Sequence, residues 1–277
     1  MYELSTNYEK MFDNTTKKLS DYIISSGVKS LVLGVSGGID SALVAALARH
    51  AIDKSGTGIP LIGRSIVIET NKEDEISRAD SIGGYFCDDF EEIDLTNLFF
   101  DNLTELDLGD MDEDSYAGKI AKGNIKARIR MIQLYHLAGV TGGMVLGTDN
   151  YTELLMGFWT LNGDVGDYGM VQNLWKTEVY GLSSYIVDMY RRLNCHFRAM
   201  SLNDCIDATP TDGLGITNSD LDQLGADSYE EVDQIMIGYL NLPDDCKLMV
   251  THPVITRYNA THFKRENPYN IPREDIV

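Results

Sequence analysis

Leu31-Val32-Leu33-Gly34-Val35-Ser36-Gly37-Gly38-Ile39-Asp40-Ser41, running directly into an alanine- and leucine-rich stretch over residues 42–49, decides how this chain folds. The apolar run reads as a buried strand and the stretch after it as a helix. Between them lies a Ser-Gly-Gly turn whose missing side chains let backbone N–H groups approach an anion, while the positive end of the following helix points at the same place. Gly34 to Ser41 therefore form a candidate phosphate cradle. No Gly-Lys-Ser/Thr follows, so it is not a Walker loop, and the GxGxxG dinucleotide fingerprint is absent. Ser-Gly-Gly alone would also fit an ordinary glycine turn; the strand before it, Asp40 and Ser41 within it and the helix after it favour the cradle.

Working outward, the short apolar runs 30–35, 60–68 and 143–147 read as buried strands. The stretches 41–50, 74–85 and 117–138 read as helices, the last with Ile125, Ile129, Ile132 and His136 near one face. Strand and helix in alternation predict an α/β fold, a doubly wound and mostly parallel sheet with helices on both faces. Its ligand site should lie outside the carboxyl ends of the strands. Six scattered prolines, no biased linker and no repeat give no domain boundary, so residues 1–277 read as one domain.

Composition narrows the function. Lysine and arginine number 23 against 43 aspartates and glutamates, a formal net charge of −20, which disfavours broad nucleic-acid binding but not a local pocket for a small anion. Cys87, Cys195, Cys205 and Cys246 form no CxxC pair or regular spacing, against a disulfide framework or zinc site and in keeping with the cytoplasm. No stretch has the length and apolarity of a membrane span or signal peptide. Asp110, Asp112 and Asp114 imitate an EF-hand, but Ser115 and Ala121 stand where glycine and glutamate are needed, so the acidic stretch 105–115 reads as a solvated loop.

Further motifs stand downstream: Gly123-Asn124-Ile125-Lys126-Ala127-Arg128-Ile129-Arg130-Met131, Leu146-Gly147-Thr148-Asp149-Asn150 with Glu153, and Gly157-Phe158. Gly163-Asp164-Val165-Gly166-Asp167, Leu174-Trp175-Lys176, Pro210-Thr211-Asp212, the run 228–233 and Lys264-Arg265 follow. On the residues alone, Arg128 and Arg130 are guanidinium forks suited to phosphate or carboxylate. Asp40 and Glu153 follow two strand ends and could share a magnesium ion.

In order and spacing these motifs resemble the ammonia-dependent NAD synthetases, within the pyrophosphate-loop ATP pyrophosphatases, over nearly the whole chain. The resemblance implies ATP binding by Gly34, Val35, Ser36, Gly37, Gly38, Ile39, Asp40, Ser41, Thr148, Lys176 and Thr211, and Mg²⁺ on Asp40 and Glu153. It implies deamido-NAD binding by Arg128, Asp167 and Lys264, with Asp164 receiving ammonia and Lys176 neutralising charge on the phosphates. It further implies a homodimer with no glutaminase domain, acting on ATP, deamido-NAD and free ammonia.

Three positions depart from the pattern. Leu161 replaces a substrate-binding lysine, Phe263 replaces a histidine with His262 displaced by one, and Arg64-Ser65-Ile66-Val67 replaces Arg-x-Pro. Two of them fall on the acceptor side, which keeps amidation of nicotinate mononucleotide as a rival. A tRNA-modifying adenylase is disfavoured by the charge, and a nucleotide-binding protein without turnover by the retained Asp40, Glu153, Asp164 and Lys176.

Overall fold

The decisive run becomes β1 (Leu31–Gly34), flanked by β2 (Leu61–Val67) and β4 (Met144–Gly147), with β3 (Asp89–Asp94) and the two-residue β5 (Tyr168–Gly169) at the edges. All neighbours pair in parallel in the order β3-β2-β1-β4-β5, with Leu31 beside both Leu61 and Met144. This computed structural model describes residues 1–69, 71–106, 109, 112–209, 221 and 224–276. Thr211, with the rest of Pro210-Thr211-Asp212, lies outside the described residues.

The strands are apolar on both sides because both sides are covered. Leu31, Leu33, Leu61, Met144 and Leu146 point into one core, while Val32, Ile62, Ile66 and Val145 point into the other, the period of two expected of a strand. The first core is closed by α1 (Tyr8–Ser26), α2 (Ile39–Ser55), α3 (Glu73–Phe86), α7 (Lys176–Arg192) and α8 (His196–Ile206). The second is closed by α4 (Thr96–Glu105) and α5 (Tyr116–Thr141). A third cluster joins α6 (Tyr151–Met156), α9 (Tyr229–Leu240) and α11 (Pro253–Ala260) through Met156, Trp175, Val232, Met236 and Val254. Two four-residue helices, α10 (Asp244–Lys247) and α12 (His262–Arg265), flank α11. Among the described residues no helix is long and apolar enough to cross a membrane.

The three predicted strands and three predicted helices are present, and the doubly wound class holds. The face assigned to α5 needs correction. Ile129 is buried, but Ile132 is 67% exposed and His136 also faces outward, because the inward line runs through Ala127, Leu134 and Ala138. A stripe read from isoleucines alone misses a helix that packs small residues and one leucine against the sheet. β3 was not expected: its sequence, DFEEID, carries acids at four of six positions. As an edge strand it needs only Phe90 and Ile93 half-buried, and charge along an edge discourages pairing with another chain.

Phe90 packs against α3 where Gly83 leaves room; a Cβ there would lie 2.1 Å from the ring. Gly84, next along the helix, has open space around it. Gly83→Ala is therefore expected to destabilise by about 1–3 kcal/mol through overpacking. Gly84→Ala should stabilise by up to about 1 kcal/mol through helix propensity. Urea unfolding of the two single variants checks the opposite signs.

Candidate active site

Strand order reverses between β1 and β4, and the turns leaving these neighbours open a crevice between them. A cavity of about 440 Å³ occupies it, lined by Gly34, Ser36, Gly38 and Asp40 from the first turn and by Thr148, Asp149 and Glu153 from the second.

The loop after β1 is built to present N–H groups. Gly37 has φ +77°, and a side chain there would meet the Glu75 carbonyl of α3 at 2.1 Å, so only glycine fits. Gly38 caps α2 without any side-chain hydrogen bond, leaving the helix N-terminus uncapped by protein groups. The loop's own hydroxyls occupy its donors at long distances. Ser36 N donates to Ser41 Oγ at 3.2 Å, and Gly38 N donates to Ser36 Oγ at 3.3 Å.

Beside the loop sits one ammonium between two carboxylates. Lys176, the first residue of α7, donates to Asp40 Oδ2 at 2.5 Å and to Glu153 Oε1 at 2.8 Å, its side chain 4% exposed. Burial alone would depress this lysine, but the facing Asp40 and Glu153 outweigh it and hold the ammonium well above the ordinary lysine range. Asn150 orients the group, donating from Nδ2 to Asp40 Oδ1 at 2.8 Å, while Glu153 and Asn150 form a reciprocal cap at the start of α6. Behind them Asp233 of α9 is fully buried and accepts from Thr152 Oγ1 and from Thr177 N and Oγ1. The Tyr229 ring lies 5.2 Å from the Lys176 ammonium. The 228–233 motif thus fixes where α7 begins, and so where the lysine stands.

Across the cavity, Asp164 accepts two hydrogen bonds from Thr160 N, at 2.8 and 3.0 Å, and Thr160 Oγ1 donates to Asn124 Oδ1 at 2.8 Å. Burial pushes the Asp164 carboxyl up to about 6, against the opposing pull of the Thr160 hydrogen bonds and of Lys264. Asp149 is raised well above the carboxylate range, first by burial and then by Asp164, Glu153 and Asp40. Lys264 lines the same wall, its Nζ donating to the carbonyls of Gly157 (2.7 Å) and Trp159 (2.5 Å).

The described candidates from Gly34 to Ser41, Thr148, Glu153, Asp164, Lys176 and Lys264 are thus gathered in or beside this cavity. Arg128 and Asp167 are not in its wall. Arg128 is exposed on α5 and donates to the Leu161 carbonyl at 3.0 Å. The Asp167 carboxylate accepts from Val145 N at 2.9 Å and Tyr135 Oη at 3.1 Å, tying the turn before β5 to β4 and α5. The sequence reading named Arg128 rather than Arg130 as the substrate contact; Arg130 is the one that lines the cavity, donating to Ile66 O and Asn71 Oδ1, while Arg128 stands outside its wall. That reading also passed over Asp149 and Asn150, although both stand in the quoted 146–150 run. The separation of 110 residues between Asn150 and Asp40 hid their partnership.

Among the described residues no three His, Cys, Asp or Glu side chains converge into a metal cage. Two carboxylates around one cation are, however, the donor set Mg²⁺ takes when phosphates and water complete its shell, so Asp40 and Glu153 fit that ion.

A doubly wound sheet with a phosphate-type loop at its switch point and a carboxylate-ammonium cluster beside it defines a nucleotide-binding α/β protein. The NAD synthase family matches residues 11–268, and the chain belongs to that family. It is 34% identical to the NH(3)-dependent NAD(+) synthetase of Methanosarcina mazei over 81% of each chain. The fold superposes on NMN synthetase from Francisella tularensis with TM-score 0.76 and 25% identity, covering 98% of this chain and 100% of that one. For NAD+ synthetase from Burkholderia pseudomallei the values are 0.68 and 26%, covering 96% and 93%.

The raised Asp164 makes a pH prediction. Its native carboxyl holds the proton more tightly than an unfolded aspartate, so this group's contribution to stability falls as pH rises from about 4 to about 6. Asp164→Asn removes that decline. The variant should gain up to about 3 kcal/mol relative to the unaltered protein at pH 7, with no gain below pH 4, as read by denaturant unfolding across the range.

Proposed function

We propose that the chain is an ammonia-dependent NAD synthetase, acting as one unit over residues 1–277 and in the cytoplasm. The observation that carries this reading is the convergence on one cavity of the loop and helix N-terminus after β1, the Asp40–Lys176–Glu153 cluster and Asp164. Four free cysteines suit a reducing compartment. The reaction has two halves: the nicotinate carboxylate of deamido-NAD attacks the α-phosphorus of ATP, releasing pyrophosphate, and ammonia then displaces AMP from the nicotinyl adenylate.

The loop N–H groups and the α2 N-terminus hold the leaving pyrophosphate, replacing the long contacts to Ser36 and Ser41. Asp40 and Glu153 would hold Mg²⁺, which when bound neutralises charge on the phosphates. Lys176, released from the carboxylates, moves to the phosphoryl oxygens as a mobile point charge. Thr148 and the Thr211 segment complete the ATP contacts. Asp164, poised near neutrality, binds ammonium and takes its proton as the free amine attacks. Lys264 lies on the Asp164 side, where the acceptor's carboxylate must reach the ATP. No covalent nucleophile is required: the protein positions two anions that repel and shields the adenylate from water.

Arg128 and Asp167 contact the dinucleotide from the outer side of α5, at a homodimer seam. An exposed apolar pair on that helix, Ile132 at 67% and Val140 at 66%, supports the seam. Ile132→Asp with Val140→Asp is expected to convert the dimer to monomer in light scattering.

A second reading has nicotinate mononucleotide as the acceptor. Leu161, where the family carries a substrate-binding lysine, and the full-length superposition on the Francisella NMN synthetase favour it. Parallel assays with MgATP and ammonium decide between the two. Amide formed from deamido-NAD, with one pyrophosphate per turnover, is the expected outcome. Amide from the mononucleotide alone would establish the second reading, and no pyrophosphate from either would overturn both.

A further inference from the structure

Six cationic side chains line the cavity, and each holds a protein partner. Arg64 is held by the Gly63 carbonyl and Asp89, and Arg130 by Ile66 and Asn71. Lys264 bonds two carbonyls, Arg257 donates to the Met156 carbonyl and lies 4.0 Å from the Phe158 ring, and Lys176 sits between its two carboxylates. Arg78, on α3, is the one of the six whose guanidinium bonds the backbone of the loop after β1. Its Nε donates to the Gly37 carbonyl at 3.0 Å and its Nη1 to Asp74 at 2.8 Å, and Asp74 is an exposed carboxylate. Its Nη2 makes no hydrogen bond among the described residues.

The anchor to Gly37 has a consequence for the loop. A trans peptide carries its C=O and N–H on opposite sides, so fixing the Gly37 carbonyl toward α3 turns the Gly38 N–H away from α3. There it meets only the long 3.3 Å contact to Ser36 Oγ. The loop has no lysine of its own, and a polyanion seated on it needs a cation from a neighbouring element. A guanidinium anchored to the loop through Nε, with Nη2 free and Nη1 held only by the exposed Asp74 carboxylate, meets that need, and with Asp74 displaced its fork matches phosphate oxygens.

We propose that Arg78 is a pyrophosphate-binding residue that holds the Gly37 carbonyl away from the anion and presents its free Nη2 to the terminal phosphates of ATP. The assignment rests on the adenylation reading above and adds a residue to it. Calorimetric titration of the full chain with magnesium pyrophosphate, MgATP and AMP tests it, using the unaltered protein, Arg78→Met and Arg78→Lys.

Arg78→Met is expected to weaken pyrophosphate and ATP at least 10-fold while AMP changes less than 2-fold. Arg78→Lys, which keeps the charge but not the fork, should fall between. Equal pyrophosphate affinity in all three proteins would overturn the role of Arg78 and leave the adenylation reading standing. AMP weakened as much as pyrophosphate would overturn it as well, since a merely structural residue behaves that way. Failure of the unaltered protein to bind pyrophosphate or ATP would overturn the adenylation reading, and the assignment with it. Should Arg78→Met not fold, Arg78→Lys carries the test: a pyrophosphate loss of at least 3-fold with AMP unchanged supports the proposal, and no loss overturns it.

Discussion

The contact of the Lys176 ammonium with Asp40 and Glu153 is the constraint around which the site is assembled. It joins three elements far apart in the chain: Asp40 in the first turn of α2, Glu153 in α6 and Lys176 at the start of α7. Removing the lysine would leave two carboxylates facing one another in a poorly solvated crevice, a configuration that buried ion pairs make costly. Substituting a different cation would not. The geometry therefore favours exchange of one cation for another over vacancy.

Exchange needs a rigid surround, and α9 supplies it. Asp233 takes three hydrogen bonds from Thr152 and Thr177, fixing the starts of α6 and α7 relative to each other, while Tyr229 limits where the lysine stem can lie. Burial raises the Asp233 carboxyl while its three donors favour the ionised form. The group thus positions the starts of α6 and α7 without itself lining the cavity. This explains in physical terms why a motif near residue 230 belongs to a nucleotide site centred on residues 34–41.

How much of this was legible in the sequence follows the range of the interactions. The central strands and the loop after β1 were readable because each is set by a local pattern: an apolar run, two glycines, a helix start. β3 was not, because an edge strand tolerates acids that a pattern reader counts as loop. Arg128 and Arg130 of α5 differ by two positions, about 200° around a helix, so only one of them meets the crevice. Which one meets the crevice depends on how α5 rolls against the sheet. The Asp167 carboxylate also accepts from Val145 N of β4, a contact that the sequence hid because it exists only where β5 is two residues long.

Charge distribution ties the surface to the chemistry. A chain with a net charge of −20 repels nucleotides at long range, but screening at physiological salt ends that repulsion within about 8 Å. Capture must therefore be local, and six of the 23 lysines and arginines line this one cavity. The same wall carries Asp40, Asp149, Glu153 and Asp164, so it presents both signs at close quarters. Such a mixture would be wasteful for a site that binds one anion. It suits a reaction in which two anions and a small cation must be held together.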